Sequence, residues 1–549
     1  MHGNRLLVSA SAAVAFLAQA VLADHHLIYG APVPSDNDVP LRLNINDLHA
    51  AAGPQWDLYI QALRAMQDMD SSDDLSYFMT AGIHGMPYRE WDHAGGQQGS
   101  QWLGYCPHGE ALFLPWHRPY VLLFEQQLVL HATEIAQKYP DNVRDQYVAA
   151  AQTLRAPYWD WAANSQVPPA SVPSTIKVNI AGKDGVESAD MTNPLQTFRM
   201  PQAALNGQYG TFDPYRRSQT VRCPAPYYSY PGSANANLGN RNLKGNVYAA
   251  FVYAQNFNQF AMTANNGVGI EQIHNWVHYD ASCGQQFWQP DLSGFDPLFM
   301  LHHANVDRLW AYWQYIHPDQ AIFTNSYYGQ SRYATPQGTT ITPDSPLEPF
   351  FGSQTRMLTT RAVASLNGMG YSYERLQYWN MSGADLTTAA RALINETYGN
   401  RSLAKKRART SSQLATNGGW TMQYFARFEI DRTHVERPST VAIYIDGTKA
   451  GDVAVMPQPA TGIMKGGFTI DSFVHDAFDK TAESNGTVAS IAHLVRVEIT
   501  KPDGTRIPIS SIPSLKVSLE EVPFTPPKSI EDFPVIGKAS IHQVTAQEY

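Results

Sequence analysis

Histidines at recurring spacings carry the strongest chemical signal in this sequence. One group runs His108-Gly109-Glu110-Ala111-Leu112-Phe113-Leu114-Pro115-Trp116-His117-Arg118, with His84 upstream in Gly82-Ile83-His84-Gly85. A second opens with His274-Asn275-Trp276-Val277-His278. It continues at Asp296-Pro297-Leu298-Phe299-Met300-Leu301-His302-His303, with Asp307 and Arg308 beyond. His274 and His278 fall four residues apart on an expected helix, so both imidazoles project from one face and can reach one ion. Imidazoles without neighbouring thiolates or carboxylates suit copper, zinc, iron or nickel. An His-Glu-x-x-His zinc hydrolase needs a Glu where this chain has Asn275. A carboxylate-bridged di-iron bundle needs paired Glu-x-x-His segments, and only Glu271-Gln272-Ile273-His274 fits. Six histidines grouped three and three suit a pair of coppers instead.

These segments resemble the copper A and copper B signatures of the tyrosinase, catechol oxidase and hemocyanin family. The first match runs from His108 through Phe113, Trp116, His117 and Arg118 to Glu125, and the second takes in Asp296-Pro297, Phe299, His303 and Asp307. The resemblance spans roughly residues 40–380. It implies copper A on His84, His108 and His117, and copper B on His274, His278 and His303. The family pattern puts the last ligand four residues before Asp307, hence His303 and not His302. Asp307 would then orient that ring. His93, His131 and His302 read as hydrogen-bonded core histidines. The implied activity is oxidation of phenols to ortho-quinones, with two copper ions as cofactor, dioxygen as co-substrate and a small phenol as partner. A role in melanin or pigment formation follows by analogy alone.

Further roles follow from the resemblance. Cys106 stands two before His108, where fungal tyrosinases and molluscan hemocyanins join a cysteine to the histidine ring by a thioether. That use of Cys106 leaves Cys223 and Cys283, the other two of three cysteines, for a disulfide. Glu271 and Asn275 match a pair that holds a water, proposed as the base, in members active on monophenols. Phe299 shares a helix face with His303 and either stacks on the substrate ring or packs as a core aromatic. Asp160 is assigned no chemistry. Three alternatives share the six ligands: a catechol oxidase without monophenol activity, an ortho-aminophenol oxidase, and, from another class, a hemocyanin-like dioxygen carrier.

The elements that must position these residues read as mainly helical. Apolar residues recur at helical spacing over about 54–80, Pro119 to Lys138 reads as a long helix, and two more surround 268–279 and 297–316. Residues 164–245, rich in Pro, Gly, Asn and Ser, read as loops. The expectation is a four-helix-bundle dicopper core with long loops over 24–398. A basic linker follows at 399–418, whose Lys405-Lys406-Arg407-Ala408-Arg409 places a processing site there. From residue 419 the period turns to two, and Tyr424–Ile430, Val441–Ile445 and Val495–Ile499 read as strands. A smaller all-β sandwich is therefore expected over 419–520, covering the site as the fungal proenzymes' domain does, with a tail over 521–549.

Residues 1–23 read as a signal peptide, with Arg5, an apolar stretch to Leu22 and a small-residue cleavage site at Ala23. Sequons at Asn380, Asn395, Asn400 and Asn485 agree with a secreted, extracellular protein. No later window has the ~18 apolar residues of a membrane span. The chain has 549 residues, 44% of them hydrophobic and 16% charged, which fits large cores rather than disorder. A net charge of −9 without a basic stripe argues against a nucleic-acid partner. Oligomeric state leaves no trace in the sequence.

Overall fold

The computed structural model describes residues 24–34, 38–183, 185–210, 212–213, 216–263, 267–399, 421–481 and 487–549. The expected signal peptide, the basic run Lys405–Arg409 and the sequons at Asn400 and Asn485 lie outside the described residues.

The helical domain is built on α1 (Pro54–Asp68), α2 (Tyr77–Gly82), α3 (Phe113–Ala136), α4 (Leu243–Tyr253), α5 (Ile270–Ser282), α6 (Leu298–Ile316) and α7 (Gly383–Thr397). The core helices are α1, α3, α5 and α6, with α3 packed against both α1 and α6. The single helix expected over 54–80 is two, because Asp70 and Asp73 turn the chain through side-chain bonds to the amides of Ser72 and Leu75. Helix α3 begins at Phe113, six residues before the expected start, so Pro119 lies inside it. Burial of almost every residue from Phe113 to Gln127 outweighs the hydrogen bond that Pro119 cannot make. Nearly all of α5 is buried as well, which is the mark of a helix covered on every side. The loop-rich stretch 164–245 also holds a hairpin, Thr175–Ala181 with Val186–Thr192.

The C-terminal domain holds β1 (Thr421–Asp431), β2 (Ser439–Ile445), β3 (Thr448–Val455), β4 (Ile463–Thr469), β5 (Val495–Thr500), β6 (Arg506–Ile507), β7 (Lys516–Thr525), β8 (Val535–Ile536) and β9 (Ser540–Val544). They form two antiparallel sheets. One has the order β4-β1-β7, with β8 and β9 both paired to β7; the other is β6-β5-β2-β3. Val441, Ile443, Val495 and Val497 of one sheet share a buried cluster with Phe428, Met464, Val517 and Leu519 of the other. The expected tail over 521–549 is thus part of the sheet: β7 runs through to Thr525, and Ser540–Val544 adds a strand. The alternation there is broken by prolines and polar residues, which hid it.

The free edge of β4 is closed by the helical domain. Lys465 N donates to Thr263 O (2.9 Å), and Thr469 N to Asn246 Oδ1 (3.2 Å). Between them the Gln272 carboxamide makes both halves of a ladder step with Gly467, donating to its carbonyl (2.7 Å) and accepting from its N–H (3.2 Å). An edge strand left open is an aggregation hazard, and here α4 and α5 cover it. Gln272, Trp276 and Asp280 repeat every four residues along α5 and face this domain. Trp276 Nε1 donates to Asp452 O, and Arg241 bridges Asp280 (2.6 Å) and Asp452 (2.5 Å). The C-terminal domain is therefore docked on the helix that carries His274 and His278.

Candidate metal centre

Helices α5 and α6 bring three imidazoles to one point. Nε2 of His274 lies 2.9 Å from that of His278 and 3.2 Å from that of His303, and the last two are 3.4 Å apart. His274 Nδ1 bonds Asn275 Oδ1 (2.9 Å), and His278 Nδ1 bonds Phe287 O (2.5 Å). These oxygens only accept, so both Nδ1 atoms carry the proton and both Nε2 atoms present lone pairs to each other. Burial lowers the pKa of all three rings, that of His274 to about 3, so no added proton sits between them. Such facing lone pairs repel unless a cation lies among them. At the ~2.0–2.1 Å imidazole–metal distance, tetrahedral ligand nitrogens stand roughly 3.3 Å apart, which is the spacing found. The residues present fit a metal ion.

The second group is wider. His84 follows α2, His108 lies on the loop before α3, and His117 is on α3. Ring centroids of His84, His108 and His117 are 5.4, 5.9 and 6.2 Å apart. Three imidazoles around one ion put their centroids roughly 5.1–5.5 Å apart, so this set needs only a small contraction. His84 Nδ1 bonds Pro290 O (2.8 Å) and His117 Nδ1 bonds Phe113 O (2.7 Å), which again turns Nε2 inward. His117 stacks on His303 (4.1 Å, 12°), joining the two groups.

Cys106 Sγ lies 3.6 Å from Nδ1 and 3.7 Å from Nε2 of His108. It is equidistant from the two nitrogens that flank Cε1, and 3.4 Å from His117 Nε2. Burial pushes the thiol's pKa well up. Cys223 and Cys283 form the expected disulfide, Cys223 on a loop and Cys283 capping the end of α5.

Several expectations need correction. Asp307 does not reach His303, whose Nδ1 has no protein partner. Its carboxylate accepts from Arg118 Nε (2.5 Å), Arg42 Nη1 (3.0 Å), Tyr371 (2.6 Å) and Tyr373 (2.7 Å). Burial raises its pKa, but Arg118 and Arg42 overcome that and leave it lowered. Phe299 is not on an open wall: it is fully buried, stacked on His303 (4.2 Å) and edge-on to His84 (5.1 Å). His302 is a core residue as expected but makes no hydrogen bond; it stacks on His274 (4.8 Å, 23°) as a fourth imidazole beside the α5–α6 set. Asn395 is 5% exposed and its side-chain nitrogen donates to two backbone carbonyls, whereas Asn380 is exposed.

Glu271 Oε1 accepts from Gly109 N (2.6 Å), and Oε2 from Thr263 N (2.9 Å) and Thr263 Oγ1 (3.2 Å). Burial raises its pKa, and these bonds offset that in part. Glu271, Asn275, His108 and Gly109 line a space closed from the other side by Arg432, Met456, Gln458, Pro459 and Met464 of the C-terminal domain. Gly109 has φ +68°, and a Cβ there would be strained and would meet Arg432 Nη2 at 3.1 Å and Pro459 Cγ at 3.2 Å, so any larger residue must push the C-terminal domain back by a few tenths of an ångström. Arg432 is buried, which lowers its pKa to about 10 even though Glu271's charge pulls it up. The cavities left beside His108 measure about 10 Å³ each, room for one water. Sequence reasoning missed Arg432, Pro459 and Gln272 because their roles depend on how two domains meet.

The described residues include no helix long and apolar enough to cross a membrane. Residues 74–316 match the family model described as the common central domain of tyrosinase. The chain is 34% identical over 418 residues to a tyrosinase of Podospora anserina, covering 71% of this chain and 72% of that one. It is 32% identical to polyphenol oxidase 2 of Agaricus bisporus, covering 72% of each. The fold matches recombinant mushroom tyrosinase with a TM-score of 0.79 at 21% identity, over 95% of this chain and all of that one. A mutant Aspergillus oryzae pro-tyrosinase matches with a TM-score of 0.74, over 96% and 98%. The paired histidine groups and these likenesses together establish that the chain belongs to the tyrosinase family and is a type 3 copper phenol oxidase.

Proposed function

We propose that this enzyme hydroxylates monophenols and oxidises ortho-diphenols to ortho-quinones, and that it is made in a covered, latent form. In this reading His84, His108 and His117 hold copper A, and His274, His278 and His303 hold copper B. The observation that carries it is the Nε2 triad of His274, His278 and His303, 2.9–3.4 Å apart, with the protons of His274 and His278 held on the far nitrogens. The coppers, when bound, supply dioxygen activation and electron transfer. The chain's own residues orient and move protons. Asn275 Oδ1 fixes the tautomer of His274, which leaves its amide nitrogen to hold a water against Glu271. Burial raises the Glu271 pKa, which makes the carboxylate a better acceptor for the phenol proton. Phe299, wedged between His84 and His303, spaces the two sets. The position of Cys106 Sγ supports a thioether to Cε1 of His108 that would lock that ring, the S–H and Cε1–H hydrogens with their two electrons passing to dioxygen.

The cover is the C-terminal domain, with Pro459 and Arg432 as the groups that fill the mouth. Room for one water is far below the ~300 Å³ of a small-molecule pocket. The structural neighbours include chains described as pro-tyrosinase and as latent mushroom tyrosinase. A cut in the linker would begin activation. The disulfide and the exposed sequon at Asn380 support secretion, and pigment formation is the family's analogy.

A narrower reading, catechol oxidation alone, is favoured by one observation: Thr263 and Gly109 already occupy both Glu271 oxygens. Turnover of tyrosine, catechol and ortho-aminophenol, before and after linker cleavage, decides. Oxidation of tyrosine and catechol only after cleavage and separation of the two fragments supports the proposal. Catechol without tyrosine supports the narrower reading, and reversible oxygen binding without turnover contradicts both.

A further inference from the structure

The sequon at Asn395 sits where a glycan has no room, and its side chain is fully employed. Asn395 lies in the last turn of α7, just before the linker. Its Nδ2 donates to Ile530 O (2.7 Å) and Asp532 O (2.8 Å), and its Oδ1 accepts from Tyr248 of α4 (2.9 Å). Phe533 meets Tyr248 edge-on (6.3 Å, 83°). The segment it grips is shaped for this: Ser529 Oγ bonds Asp532 Oδ2 (3.0 Å) and accepts from Glu531 N (3.1 Å), and this turn presents both carbonyls to one amide. Every hydrogen-bonding position of the carboxamide is used except one Oδ1 lone pair, so it reads as a fitting and not as a loose surface residue.

We infer that Asn395 is a clamp and not a glycan acceptor: it ties the 529–533 segment of the C-terminal domain to α4 and α7, and it holds after the linker is cut. An N-linked glycan replaces one of the two Nδ2 hydrogens, and both are donated here, so glycosylation and docking of this segment exclude each other. Both halves of the clamp lie outside residues 400–420, so a cut there leaves them joined. Together with the covered β4 edge, this means that severing the chain does not by itself free the site; the two pieces stay together until the clamp opens. The consequence for activity rests on the reading of the C-terminal domain as a removable cover.

The test uses the full chain made in a glycosylating host, as wild type, N395D and T397A. T397A removes the sequon and keeps the clamp. N395D is isosteric and sets an oxygen against both carbonyls. Three things are measured: the mass of the Asn395 peptide, hydrogen exchange over 526–534 in uncut protein, and co-elution of the two fragments after linker cleavage. Wild type and T397A should match, with no glycan on Asn395 and fragments that co-elute. N395D should exchange about ten-fold faster over 526–534, as expected for two lost buried hydrogen bonds, with unchanged exchange in α3 and α6, and its fragments should separate at lower dilution. A glycan on Asn395 in the covered protein, or N395D behaving as wild type, overturns the clamp. Catechol turnover on the same samples is a separate readout. If separated fragments turn over no faster than joined ones, the cover reading fails while the clamp stands.

Discussion

Glu271 Oε1 accepts a 2.6 Å hydrogen bond from the backbone N–H of Gly109. The residue one turn before His274 is thereby tied to the residue next to His108, and each half of the histidine cluster fixes the other. The bond also places a buried carboxylate at the mouth of the site. Replacing Glu271 with Gln removes the charge and turns an N–H towards one of its donors. Monophenol turnover in the catalytic fragment, cleaved and separated from its cover, should then fall by about 10²-fold or more, the scale of a lost general base, and catechol turnover by far less. Steady-state rates on tyrosine and catechol check this, and equal losses on both would rule out the assigned role.

Asp307 and Arg118 form a second link, this one between α6 and α3. Arg118 adjoins His117 and Asp307 lies one turn after His303, so their 2.5 Å contact holds two ligand helices in register. Substituting Asp307 with Leu leaves Arg118 buried without a carboxylate partner and leaves Arg42 with Glu125 alone. Breaking such a pair costs about 3–5 kcal/mol. Denaturant midpoints should drop accordingly, and copper content should fall with them.

The buried histidines give the metal-free protein an acid-sensitive fold. Burial lowers His84 to about 4 and His274 to about 3, against the ordinary 6.5. Between those values the unfolded chain binds more protons than the folded one, so stability is full above pH 6.5 and is lost as pH falls towards 4. Each such histidine contributes about 1.4 kcal/mol per pH unit in that window. Urea unfolding of the copper-free protein from pH 7.5 to 4.5 should show the decline. Flat stability across that range would contradict neutral, buried ligands.

Cys106 and His108 make a prediction that mass alone can test. A thioether removes two hydrogens and blocks alkylation. The peptide spanning both residues should be two hydrogens light in copper-loaded protein and resist iodoacetamide after unfolding. An unfolded, freely alkylated Cys106 would show that the contact at 3.6–3.7 Å is only packing.

The histidine ligand candidates and the division into a helical and a β domain were legible because each rests on local spacing or on a short pattern, whereas the disulfide partners followed only from the resemblance, which sets Cys106 aside. His274 and His278 are one helical turn apart, and the period-two runs of Val441–Ile445 and Val495–Ile499 became neighbouring strands. What stayed hidden is set by contacts between distant segments. Nothing near Asp307 in sequence announces Arg42, and nothing near Asn395 announces Ile530. The sequon at Asn395 shows the difference: three adjacent residues suggest a glycan, whereas a carbonyl well over a hundred residues away engages the same carboxamide. Nothing in the sequence announces the sheet that Gln272, Trp276 and Asp280 meet from one face of α5.

The most direct measurement is copper bound per chain in metal-replete, purified protein, with H278A and H108A alongside. Two coppers are expected in the wild type, with loss of one site in each variant. A wild-type protein that binds one copper or none, or keeps both when either histidine is removed, would contradict the dicopper assignment.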